Sequence, residues 1–139
     1  MKNLIDIEKK VNLELNTKIN VSIIKHEQLY LNINSENLID VVIFLKTNKE
    51  TKFKQLIDIT AVDYPEKEKR FKLVYLFLSH EFNQRILIDY EINEKETVNS
   101  LTSVFPSANW MEREVFDMYG INFKNHPDLR RILTDYGFE

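Results

Sequence analysis

Apolar residues mark the elements of this chain before any other feature does. Leu4, Ile7, Val11 and Leu15 fall on one helical face, with Lys9, Lys10 and Glu14 mostly opposite; this spacing predicts an amphipathic helix. Val21–Ile24 and Leu29–Ile33 are short β-branched and apolar runs around a polar turn at 25–28, the pattern of a hairpin. Asn34 or Ser35 can cap a second helix, striped by Leu38, Val41, Val42 and Leu45 and ending near Asn48. Three strand candidates follow: Gln55–Asp63, Phe71–Leu78 and Arg85–Ile92. The last alternates, with Ile86, Ile88, Tyr90 and Ile92 on one face. From Leu73 to Leu78 the middle one is apolar on both faces, which suits a central strand covered on both sides or partly covered by a partner. Short polar links between the three predict an antiparallel meander.

Asn93 and Glu96 have capping-box spacing, which predicts a third helix over 94–105 with Val98, Leu101 and Phe105 inward, ended by Pro106. Asn109 and Glu112 repeat the spacing and predict a fourth helix, Trp110–Tyr119, closed by Gly120 as a left-handed cap. No firm period follows Gly120. The expected order is α-β-β-α-β-β-β-α-α, an α+β fold: a two-layer α/β sandwich whose mixed sheet carries its helices on one face. Residues 1–120 are read as a single domain and 121–139 as an irregular exit segment.

Composition narrows the chemistry. The 139 residues are enough for one domain with a real core, 43% hydrophobic and 12% aromatic. A net charge of −3 gives no basic stripe for nucleic acid. Apolar runs are too short to span a bilayer. The N-terminal MKNLIDIEKKVNLEL, which mixes acids and bases, has neither signal-peptide nor transit-peptide character, so the protein is expected to stay where it is made. With no cysteine, disulfides, zinc ribbons and Cys-ligated iron–sulfur clusters are excluded from this sequence. With two glycines, so are the P-loop and the dinucleotide fingerprint.

The segment Glu112–Leu133 (EREVFDMYGINFKNHPDLRRIL) concentrates the charged and special residues. Glu112 and Glu114 sit in the first turn of the expected helix, where its dipole favours anions, and Arg113 can pair with Asp117 four residues on. Met111, Val115 and Met118 share one face; Glu112, Phe116 and Tyr119 share the next. That wide apolar surface could pack on the sheet and still present aromatics elsewhere. His126 with these carboxylates and Asp128 could in principle ligate a metal, but no HExxH or calcium-loop spacing fixes one. A carboxylate-pair hydrolase fails because residues two apart on a helix diverge. Ser79-His80 falls in a polar turn with no partner assigned. Arg130 and Arg131 suit a carboxylate or partner clamp. A capped, solvated helix end and a partner surface both remain open on these residues alone.

The run Glu112-Arg113-Glu114, Asp117, Met118-Tyr119, His126, Arg130, Ile132-Leu133 resembles the signature of the 30 kDa (or C) subunit family of NADH:quinone oxidoreductase, respiratory complex I. Asp58-Ile59-Thr60-Ala61-Val62-Asp63-Tyr64-Pro65 resembles the family's DxTxVDYP strand end, and Ala108-Asn109-Trp110 the approach to its ERE. The resemblance is detailed from about Leu56 onward. It implies a cofactor-free, non-catalytic subunit of the peripheral arm, with flavin, iron–sulfur clusters and quinone on partner subunits. It implies partners in the 49 kDa-like quinone-site subunit and the cluster-bearing subunits, and a place peripheral to the inner membrane, on its cytoplasmic side in a bacterium or its matrix side in a mitochondrion. The docking residues it points to are Glu112, Arg113, Glu114, Asp117, His126, Asp128, Arg130 and Arg131. The two arginines would pair with carboxylates of neighbouring subunits, and His126-Pro127-Asp128 would fix the chain's exit. Family members continue beyond the position of Glu139 into a long extended tail. A homologous scaffold subunit of a membrane-bound hydrogenase or dehydrogenase is the alternative.

Overall fold

A computed structural model describes residues 3–127. Its elements are α1 (Leu4–Glu14), β1 (Val21–Lys25), β2 (Gln28–Asn32), a 3-10 turn (Ser35–Asn37), α2 (Leu38–Thr47), β3 (Gln55–Asp63), β4 (Phe71–Ser79), β5 (Gln84–Ile92), β6 (Val98–Asn99), α3 (Ala108–Tyr119) and β7 (Phe123–Lys124). Five strands form one mixed sheet in the order β1-β2-β5-β4-β3. β2 runs parallel to β5, and the other neighbours are antiparallel. β3, β4 and β5 are the expected meander. β6 and β7 make a separate parallel pair.

Alternation decides which face is covered. Leu73 pairs with Tyr90, Tyr75 with Ile88 and Phe77 with Ile86, and all six are buried. Leu29 and Leu31 extend this surface onto β2. Ile7 and Val11 of α1 and Leu38, Val41, Val42 and Leu45 of α2 belong to the same core, so the helices lie on one face. Each such side chain stabilises the fold by about 1.5–3 kcal/mol through burial. Tyr75 and Tyr90 place their hydroxyls 2.7 Å apart within the core. Burial pushes both phenols above their ordinary range. The β1–β2 turn uses His26 and Glu27 with positive φ, 52° and 61°, the geometry that matches the twist of a two-residue hairpin.

The fold class stands as expected, but one element does not. No helix occupies 94–105. Glu96 N–H bonds the Asn93 carbonyl and Lys95 N–H the Asn93 side chain, at 3.2 and 3.0 Å, so the capping residues close a turn. Beyond it the backbone groups are taken by distant partners. Val98 and Asn99 pair with Phe123 and Lys124, Leu101 N–H goes to Glu112 (2.7 Å), and Lys46 Nζ holds the Val104 carbonyl (2.5 Å). A helix would need those groups for its own ladder. Leu101, Val104 and Phe105 are inward nonetheless. The segment read as an exit starting at residue 121 begins inside the core, with Ile121 and Phe123 buried.

Candidate docking surface

α3 starts at Ala108, two residues earlier than expected, with Ser107 as a cap that makes no side-chain bond. Asn109 N–H bonds the Pro106 carbonyl (3.1 Å), so the second capping box does not form. Glu112 is therefore free for another task. Its carboxylate, fully buried, accepts from Ser100 Oγ at 2.6 Å and from Leu101 N–H at 2.7 Å. His126 closes the node from the other side. Its Nε2 donates to the Asn109 carbonyl (3.0 Å) and lies 3.9 Å from Glu112 Oε1. Three stretches distant in sequence are thus tied at one point. Burial raises the Glu112 pKa, opposed by the Ser100 and Leu101 bonds and by the proximity of His126.

Bracing from inside leaves one stripe of α3, Trp110, Glu114 and Met118, facing out. Ala108 and Val115 are buried, Met111 and Tyr119 pack on the core margin, and the helix lies against β3. Trp110 and Met118 remain 52% and 74% exposed. Met118 shares the face of Met111 and Val115 as expected, but at the solvent end of it, beside Val115 in the groove toward β3. Arg113 lies against Trp110, its Cζ 5.4 Å from the ring centre, while its buried Nε has no hydrogen-bond partner. Glu114 and Met118, with Ile59, Thr60, Ala61, Val115 and Tyr119, line a shallow groove of about 270 Å³ between α3 and β3. Gly120 takes the left-handed cap conformation, φ 73°, as expected, and its N–H returns to the Phe116 carbonyl (2.8 Å).

Of the eight residues singled out in sequence, Glu112 and His126 are brought together with side chains buried within this chain. Arg113 and Asp117 are half-buried and Glu114 is exposed, all on α3. Asp128, Arg130 and Arg131 lie outside the described residues. Ser100 and the exposed Trp110 complete the arrangement. Sequence reasoning missed Ser100 because its role depends on a contact twelve positions away that no local period encodes. Among the described residues, no three His, Asp or Glu side chains converge closely enough to hold a metal ion, and no helix is long and apolar enough to cross a membrane.

These features define an α+β domain with one internally braced helix whose outer stripe sets the exposed apolar Trp110 and Met118 around Glu114. The chain belongs to the family described as "Respiratory-chain NADH dehydrogenase, 30 Kd subunit", whose model matches residues 31–139. It is 58% identical over 111 residues to the NADH-quinone oxidoreductase C subunit of Ruegeria pomeroyi, covering 80% of this chain and 56% of that one. It is 41% identical over 134 residues to the protein of the same name in Chelativorans, covering 96% and 67%. It is 52% identical over 106 residues to NADH dehydrogenase [ubiquinone] iron-sulfur protein 3 of Beta trigyna, covering 76% and 55%. The chain therefore spans little more than half the length of several curated relatives. A trypsin-resistant fragment of Nqo5 has the same fold, with TM-score 0.75, 24% identity, and coverage of 88% of this chain and 98% of the fragment. So does a chain of an archaeal membrane-bound sulfane sulfur reductase, with TM-score 0.79, 20% identity, and coverage of 90% and 72%.

Proposed function

We propose that this chain is a cofactor-free, non-catalytic subunit of the peripheral arm of a proton-pumping NADH:quinone oxidoreductase. The whole complex moves electrons from NADH to quinone; this chain helps hold the quinone-reducing module together. Its neighbours are the 49 kDa-like quinone-site subunit and the cluster-bearing subunits. It lies peripheral to the inner membrane, on the cytoplasmic side in a bacterium or the matrix side in a mitochondrion.

The observation that carries this reading is α3. Glu112 fixes the helix from within, while Trp110 and Met118 stay uncovered. A preorganised helix loses little freedom on docking, which favours binding. Burying one such apolar side chain against a partner contributes about 1.5–3 kcal/mol. Arg113, Glu114 and Asp117 on α3 supply a polar rim, and His126 holds the start of the exit segment; Asp128, Arg130 and Arg131 are the further partner contacts that the family resemblance implies. The homologous scaffold role in a membrane-bound hydrogenase or dehydrogenase is the second reading, favoured by the fold shared with the sulfane sulfur reductase chain.

The test introduces Met118→Asp and, separately, Glu114→Ala into the chain in its native host. Met118→Asp is expected to leave the melting of the purified chain unchanged and to lower recovery of the intact complex. Glu114→Ala is expected to have a smaller effect of the same sign. Normal yield and stability of the complex in both variants would refute the docking role.

A further inference from the structure

The sheet has a second face, and it is not a normal solvent face. Residues alternating with the core side chains on β4 and β5 include Val74, Leu76, Leu78 and Leu87, all only half-buried. Leu76 pairs with Leu87 across the strands, Leu87 with Tyr30, and Tyr30 with Ile23, which is 50% exposed. An apolar band thus crosses from β4 to β1, opposite the helices. It opens into a hollow of about 300 Å³ bordered by Val21, Ile23, Tyr30 and Asp89. A one-sided sheet normally alternates apolar-in with polar-out, and a contiguous exposed apolar patch marks an interaction site.

Charge says what covers it. At one end of the band stand Lys25 and Arg85, both exposed, and among the described residues neither has an ion-pair partner. At the other end the acids are already matched: Asp89 lies 3.7 Å from Lys72 and accepts from Asn32 (2.6 Å), and Glu91 is 2.8 Å from Lys67. A second copy laid on this face would offer those cations, among the described residues, a single unmatched carboxylate, the exposed Asp58 beside Leu76, and otherwise cations or neutralised acids. The apolar part of the face also projects only roughly 300 Å², against about 800 Å² per partner in a stable stand-alone interface.

We propose that this outer face is a second docking surface, separate from α3, taken by another subunit of the same assembly through an apolar surface bordered by carboxylates that meet Lys25 and Arg85. It rests on the reading of the chain as a docked subunit. The contact is too small to stand alone and works because other contacts hold the chain in place.

The test uses two variants of the full chain expressed in the host: the double charge reversal Lys25→Glu with Arg85→Glu, on exposed positions, and Leu87→Lys on the band. The double variant is expected to melt like the parent when purified, to remain monomeric, and to reduce the chain recovered with the complex by roughly tenfold at low salt. Leu87→Lys is expected to reduce it at low and high salt alike. Full recovery with both, while Met118→Asp on α3 abolishes it, overturns the outer-face proposal and leaves the docked-subunit reading intact. Full recovery with all three refutes both. A purified parent chain that sediments as a dimer broken by Leu87→Lys, or that binds anionic phospholipid vesicles through Lys25 and Arg85, assigns the face to another occupant and also overturns the proposal.

Discussion

In the inner strands of the sheet, β2, β5 and β4, backbone groups find partners on the strands to either side, and the buried face follows from every second residue. Phe71 to Ser79 pairs without interruption with Gln84 to Ile92. Residues 93–127 work differently. There a two-residue parallel pair, a run of turns and one helix meet at a single buried carboxylate. The sheet is held by many interchangeable contacts, each modest. The second region is held by a few specific ones, each expensive to leave unmade. That region carries Glu112, Arg113, Glu114, Asp117 and His126 of the run that resembles the family's signature, and it presents Trp110 and Met118.

The contrast predicts different responses to substitution. Phe77→Ala should be the most damaging, at about 3–5 kcal/mol, because Phe77 is buried against Phe105, with ring centres 5.5 Å apart. Its loss should lower the midpoint of a single cooperative denaturant transition. Glu112→Ala should cost less, about 2–3 kcal/mol, since it strands Ser100 Oγ and Leu101 N–H without partners. Its mark is regional: amides of 98–101 and 123–126 should exchange faster while those of β4 and β5 keep their order. Uniform loss across both regions would merge them into one cooperative unit.

Glu112→Gln should be the mildest, because the amide can keep both bonds if the Ser100 hydroxyl reorients. Its sign depends on pH. The folded pKa of Glu112 is raised, so the stability it contributes is full below the unfolded carboxylate value and is lost as pH rises through the folded one. A glutamine at this position does not titrate and escapes that loss, so the variant should gain on the parent as pH rises past the unfolded carboxylate value, about 4.3. Asp63 beside Arg70 and Glu81 beside Lys52 have lowered values, and their contribution runs the other way, lost as pH falls. Parallel pH–stability curves for the two proteins would show that Glu112 is not titrating in the buried node.

How much is legible in sequence follows the same division. Leu4, Ile7 and Val11, the stripe of α2, and the alternation of Ile86, Ile88, Tyr90 and Ile92 all declare their faces, because burial on one side imposes a period. Gln55–Asp63 can be bounded to the residue. Gly120 announces its cap because few other residues accept a positive φ there. The stretch 94–105 misleads because Asn93 and Glu96 satisfy a local rule that a turn also satisfies. Phe123, Glu112 and Lys46, far away in sequence, make the choice. Glu112 itself is recognisable as special, but not as buried: first-turn acids are normally solvated, and only Ser100, Leu101 and His126 together make burial tolerable. That both faces of Leu73–Leu78 are apolar is visible in the sequence, and it is the outer of these that has no cover within the described residues.

The central claim is that α3 is fixed from inside so that its outer side can be covered by other subunits. Hydrogen exchange of this chain, free and within the intact complex, tests it directly. The account predicts that the amides of α3 and of the neighbouring edge strand β3 slow markedly on assembly, while those of β4 and β5, already bonded on both sides, change little. Identical exchange of α3 in the free and assembled chain would contradict it.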